Sequence, residues 1–285
     1  MVVVTIAVAA PRASAPPSWI VFAAHPDGAA AQQLFRVETT GAGLEQITTG
    51  KLPAIAPAFS PGGTRIVFSR LGSGIFSVNL DGTGLRRLSS NIRDAHPVWS
   101  PDGKRIVFLR PYQAQWRVYV MSESGGGKKR LPQAPSAGRP SWTPAGKAIL
   151  IPSAGDLVKI DPQTGKVQKY FGMTIDIQIA QTATVSPDAR TLAYVGPRRS
   201  TGPPDCGEGR CPQFGLYLAS IPAPHRPRRI VNDTGPAGWS PDGKSLVFVA
   251  KGALTLRVVS SGAQTTIATE PHVAAGDSPP AWQPR

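Results

Sequence analysis

One phrase recurs along this chain and limits what it can fold into more than any other feature. AFSPGGTRIVFSR (58–70), VWSPDGKRIVFLR (98–110), SWTPAGKAILIPS (141–153), TVSPDARTLAYVG (184–196) and GWSPDGKSLVFVA (238–250) are versions of one unit. Their anchoring prolines, Pro61, Pro101, Pro144, Pro187 and Pro241, are spaced 40, 43, 43 and 54 residues apart, and Pro284 in AWQPR follows 43 residues later. Self-similarity at this period marks a repeat architecture whose units bury their apolar faces only against neighbours. After Pro284 a following strand is needed, and its sequence appears at the other end as WIVFAA (19–24), which matches RIVFLR and SLVFVA. The repeat is circularly split, which predicts six units and a ring closed by pairing of residues 19–24 with 279–283.

Within a unit the residues read as four short strands. The first ends at Phe59, Trp99, Trp142, Val185, Trp239 or Trp282, and a turn such as Ser100-Pro101-Asp102-Gly103 follows it. Proline presets φ at the second turn position, and glycine takes the strained last one. Next comes a short apolar run rich in β-branched and aromatic residues, Ile106-Val107-Phe108 or Leu246-Val247-Phe248, then an alternating strand, a second turn and an outer strand. Thirty glycines and thirty prolines in 285 residues, nearly twice the usual share, exclude long helices, while 41% hydrophobic residues suffice for a core. The expected fold is all-β, a single six-bladed β-propeller of four-stranded blades over residues 18–285.

The W-S-P-D-G-K-x-I-V-F phrase resembles the blade repeat of TolB-like propellers, which also occurs in the propeller domains of prolyl oligopeptidase-type enzymes. The resemblance covers residues 19–285. Two departures limit what it implies. The 18 residues before the first strand cannot form the α/β domain that precedes the propeller of TolB itself, and no residues remain for a hydrolase domain with a nucleophilic serine. What the resemblance implies is an extracytoplasmic propeller that binds partners.

Residues 1–17 read as the end of a signal peptide whose start lies upstream, or as a disordered tail. Met1 to Ala10 is largely apolar and too short to span a bilayer, and Ala13-Ser14-Ala15 is a small-x-small site of the kind that export peptidases cut. The only two cysteines, Cys206 and Cys211, lie in one glycine-containing loop, which suits a local disulfide in an exported chain. The expected location is periplasmic, cell-envelope or secreted. A formal net charge of +14 points to an anionic partner. No strip of aromatics interleaved with cations suggests nucleic acid.

Gly238 to Ser245 formally matches G-x-x-x-x-G-K-S, but a strand, not a helix, follows the lysine, so nucleotide binding is not expected. Of 17 acidic residues, Asp81, Asp102, Asp161, Asp188 and Asp242 occupy turns. Loops joining second to third strands lie at one mouth of the central channel and carry Arg70, Arg110, Arg198, Arg199, Arg210 and Lys251, with Tyr112 and Trp116 as aromatic anchors. These residues form the expected contact surface of a monomeric, non-catalytic module for a protein or an anionic envelope polymer, with no cofactor. The loop 196–213 is the longest of them and the leading contact element. The opposite face is basic as well, with Lys128-Lys129-Arg130 and Arg226, Arg228 and Arg229. The alternative reading is a metal-dependent lyase or hydrolase acting on an acidic saccharide at the channel mouth. Its ligands would be Asp94, His96, His272 and Asp277, since some TolB-like lyases of pectin fragments hold a metal through channel histidines.

Overall fold

A strand that buries both faces must be apolar at consecutive positions, and the second strand of every unit reads this way. The structure, a computed structural model, describes residues 18–113, 115–136, 138–153, 156–171, 182–197, 214–221, 227–232, 234–270 and 279–284. It contains six four-stranded antiparallel sheets, each ordered from an inner to an outer strand. Blade I joins Ala281–Trp282 to Trp19–Ala24, Gln33–Glu38 and Glu45–Gln46; blade II runs from Ala54–Phe59 to Arg86–Arg87 and blade III from Ala95–Trp99 to Lys129–Ser136. Blade IV spans Ser141–Trp142 to Val167–Phe171, blade V Ala183–Val185 to Arg228–Asn232, and blade VI Gly238–Trp239 to Gln264–Ala268. The expected six-bladed propeller is the fold.

The core is divided into six clusters, one at each junction between neighbouring blades. Period-2 alternation explains the division. In the second strand of blade I, Val21 and Ala23 face blade II, while Ile20, Phe22 and Ala24 face blade VI. In blade II, Ile66 and Phe68 face blade I and Val67 faces blade III. The I-V-F run is continuous because both of its faces are buried, so no position in it can be polar.

Each inner turn carries its own hydrogen bonds. Ser186 and Ser240 donate from Oγ to Asp188 and Asp242 at 2.6 and 2.7 Å. The amides of Lys104, Arg190 and Lys244 donate to the carboxylates of Asp102, Asp188 and Asp242 at 3.0–3.1 Å. Gly103 and Gly243 close their turns at φ of 71° and 70°, the left-handed region that favours glycine, and Ala189 occupies the same place in blade V at 60°. Asp81 and Asp161 hold their own turns in the same way, through the amides of Thr83 and of Gln163 and Thr164. Hydrogen bonds hold the carboxyls of Asp81, Asp102, Asp161 and Asp188 below their usual range, led by the hydroxyls of Thr83, Ser100 and Ser186 for Asp81, Asp102 and Asp188 and by the Thr164 amide for Asp161.

Ring closure is narrower than the sequence suggests. The closing ladder is Ile20↔Trp282 and Val21↔Ala281. It does not extend back to 279 because Pro279 and Pro280 have no amide hydrogen to give. Gln283 completes the closure: its amide donates to the Trp19 carbonyl at 2.8 Å, its Oε1 accepts from the Trp19 amide at 3.1 Å, and its Nε2 donates to Gly63 of blade II at 2.9 Å. Trp282 Nε1 also donates to Ser18 Oγ at 3.0 Å. Removing residues 281–285 exposes one blade edge and forfeits a tryptophan, a loss of about 3–5 kcal/mol. The melting temperature is expected to fall by roughly 10 °C in one cooperative step, and an unchanged calorimetric melt of the truncated chain would refute closure by this strand.

Candidate functional site

The loops entering inner strands and those leaving second strands meet at the same end of the ring. In blades II and III the inner strand bulges as it enters, with the register shifting between Ile55 and Ala58 and between Ala95 and Val98. The bulge places Ala56 and His96 at φ of 55° and 56°, each immediately before a proline. A non-glycine residue in this region costs on the order of 1–2 kcal/mol, and His96 is held there by its amide, which donates to Ser69 Oγ of blade II at 2.9 Å. The bulges line a narrow channel together with Arg139, Pro140, Thr182 and Pro279; its free volume is about 50 Å³, room for a few waters.

His96 packs edge-on against Trp116 at 5.7 Å between ring centroids. Burial, aided by the charge of Arg139, pushes its imidazole down to about 3, so the ring is neutral at physiological pH. Its Nδ1 is buried without a hydrogen-bond partner among the described residues.

Next to it stands a charged pair that the sequence reading had split between two roles. Asp94 is 2% exposed. Arg110 donates to it side-on, Nε to Oδ1 at 2.6 Å and Nη2 to Oδ2 at 2.9 Å, and Ser89 donates its hydroxyl to Oδ2. The guanidinium lies 4.6 Å from the ring centroid of Tyr119, and the bond to Asp94 raises the arginine further above its ordinary value. The expected contact cation and the expected metal ligand are thus each other's partner.

Arg70 occupies the same position in blade II, but Ala54 stands where blade III has Asp94. Arg70 therefore bonds a carbonyl, Nη2 to Thr49 at 3.1 Å, and lies 5.3 Å from the Phe76 ring, with its Nε unpartnered among the described residues. Partial burial without a carboxylate lowers it from its ordinary value. Tyr112, 54% exposed, and exposed Lys251 complete the described contact residues, while Trp116 is half-buried against His96. Arg198, Arg199, Arg210, Cys206, Cys211, His272 and Asp277 lie outside the described residues, as does Arg226. Among the described residues no three His, Cys, Asp or Glu side chains converge to hold a metal, and Asp94 has both oxygens engaged. No described helix is long and apolar enough to cross a membrane.

A model of the TolB beta propeller domain family matches residues 3–202 of the chain. Among solved structures, the chain resembles TolB from Acinetobacter baumannii with a TM-score of 0.77 and 19% identity, over 94% of this chain and 67% of that one. A chain of a nidogen/laminin complex is similar at a TM-score of 0.69 and 9% identity, over 93% and 98% of the two chains. An oligogalacturonate lyase in complex with manganese is similar at 0.55 and 13%, over 87% and 78%. At these identities the structural likeness shows the fold.

Two outcomes test the site's construction. Arg110→Ala leaves the Asp94 carboxylate buried without its counter-charge and is expected to cost about 2–4 kcal/mol, less than for a fully dry pair because Arg110 is 24% exposed. Asp94→Ala recreates the Ala54 and Arg70 arrangement and should cost less; the reverse order in urea unfolding would show that the pair is not what holds this corner. For His96 the folded form is depressed from 6.5 to about 3, so its contribution is complete above pH 6.5 and is lost as pH falls toward 3. The slope is at most about 1.4 kcal/mol per pH unit. His96→Asn, which tolerates the same φ without titrating, should flatten the acid limb of the melting temperature against pH, and an unchanged limb would place the titration elsewhere.

Proposed function

The chain belongs to the TolB beta propeller domain family, and from that premise we propose that it is an extracytoplasmic, non-catalytic binding module that holds a partner protein or an anionic envelope polymer at its channel mouth. The observation that carries this reading is the division of the mouth's polar groups. Those that could do chemistry are turned inward: Asp94 is closed off by Arg110 and Ser89, and His96 is packed against Trp116 in a channel with room for a few waters. Those that could touch a partner lie at the surface: exposed Tyr112 and Lys251, with partly exposed Arg70 beside them. The loop 196–213, with Arg198, Arg199, Arg210 and the Cys206 and Cys211 pair, joins this proposal on its sequence alone. Lysine and arginine at a rim steer an anionic partner, and the ring beneath presents them with little change of shape.

The test uses immobilised domain and native envelope extract. A partner retained by the wild type should be lost from the triple variant Arg70→Ala, Tyr112→Ala, Lys251→Ala in protein that is still folded at the temperature of the assay. Retention should drop steeply as salt rises from about 50 to about 150 mM, where screening shortens the reach of surface charge to roughly 8 Å. Retention that ignores both changes would overturn the binding surface. Release of unsaturated uronides from polygalacturonate with manganese present would overturn the non-catalytic reading.

A further inference from the structure

The six blade junctions are not equivalent, and beside one of them a basic groove lies on the face opposite the channel mouth. At two successive junctions an arginine at the start of one blade's second strand lies over the tryptophan ending the next blade's inner strand: Arg65 over Trp99 at 5.6 Å and Arg105 over Trp142 at 5.1 Å. Between blades IV and V both members are replaced by small residues, Ala148 for the arginine and Val185 for the tryptophan. Val185 is the single inner-strand terminus of the six without an aromatic ring. At this junction the blade-V-facing side of blade IV borders an open groove of about 390 Å³, within the range of small-ligand sites.

The groove's lining follows from the strand period. Leu157 and Tyr170 face blade V, so Lys159 shares the side of Leu157, and Lys166 and Gln168 share the side of Tyr170; Lys159 and Gln168 are cross-strand partners. Lys147 joins them from the inner turn, giving three lysines in one groove. None of the three ammonium groups makes a hydrogen bond or ion pair with a described residue, whereas neighbouring Lys169 pairs with Asp156 at 3.0 Å and Lys129 bonds the Gln163 carbonyl at 3.1 Å. The one acid in the groove, Asp161, already accepts from the amides of Gln163 and Thr164, both at 2.8 Å, which hold its carboxyl in the charged form. One spent carboxylate against three unpaired lysines leaves a net positive groove whose like charges repel until an anion enters.

We propose that this groove is a second binding site, independent of the channel mouth, for an acidic polysaccharide segment bearing carboxylates. Ammonium groups on flexible stems meet hydrated carboxylates as point charges, and three of them spread along one groove match charges spaced along a polymer. Gln168 supplies donor and acceptor for sugar hydroxyls, and the Tyr170 ring forms part of the wall. With the mouth holding one partner, the lower groove ties the ring to an acidic polymer, so the module bridges two components.

The experiment measures affinity for polygalacturonate oligomers by calorimetry on the full chain. Lys147→Ala, Lys159→Ala, Lys166→Ala in combination should weaken binding at least tenfold. Lys147→Glu with Lys166→Glu, both at exposed positions, reverses the groove's charge and should abolish binding without lowering the melting temperature. The channel-mouth triple variant should bind the oligomers as the wild type does, which separates failure of this site from failure of the mouth. Equal binding by the groove variants, or equal affinity for fully methyl-esterified oligomers, overturns the proposal. Competition by a short DNA duplex at matched charge shows unspecific charge attraction and overturns the saccharide assignment.

Discussion

A propeller blade has two apolar faces, and no blade can bury either one alone. Every other feature of this chain follows from that constraint. It makes the second strands continuously hydrophobic, with Ile20, Phe22 and Ala24 serving one junction and Val21 and Ala23 the other. It forbids an open arc, because an unclosed ring would expose one face at each end, together with an unpaired strand edge. Closure falls to two residues of strand and the side chain of Gln283, which bridges blade I to blade II at Gly63. With all six junctions filled by core, the variable chemistry is left to the loops, to the turns and to whatever a junction lacks.

The ring and its turns were legible in the sequence because each is specified locally and then repeated. Ser-Pro-Asp-Gly, present twice in full and three times in variant form, encodes its own hydrogen bonds, and the recurrence removes ambiguity. The corner at Asp94 was not legible residue by residue. Asp94 and Arg110 lie 16 residues apart, and in isolation an acid before an inner strand suits a metal while an arginine after a second strand suits a partner. The missing signal is the column of the repeat: Ala54 and Arg70 stand in the same two positions of blade II, so the acid is an exception at a site where its arginine is already present. The left-handed bulge at His96 has no sequence mark beyond the proline that follows it, since Ala56 adopts it equally well.

Departures from the repeat therefore carry more information than the repeat itself. Replacing Ala by Asp at one corner turns a carbonyl-bonded arginine into a buried ion pair and stiffens the mouth beside Trp116 and His96. Replacing Arg and Trp by Ala and Val at one junction removes a cation–ring contact between blades, beside the lysine-lined groove. Both departures sit at the ends of blades, one on each face of the ring.

The excess of positive charge divides by residue type in the same way. Among the described residues, arginines are largely consumed by the fold, stacked over rings as Arg36 over Trp19, Arg65 over Trp99, Arg105 over Trp142 and Arg110 over Tyr119. A planar, weakly hydrated guanidinium can lie on an aromatic face and keep its hydrogen bonds, so it is the cation that a junction between blades can bury. The compact, strongly hydrated ammonium cannot, and Lys147, Lys159, Lys166 and Lys251 stay at the surface without internal partners. Net charge by itself is consequently a poor guide to where a partner binds. What matters is the part of that charge the ring has not already used, and in the described residues it lies chiefly in lysines at the rims.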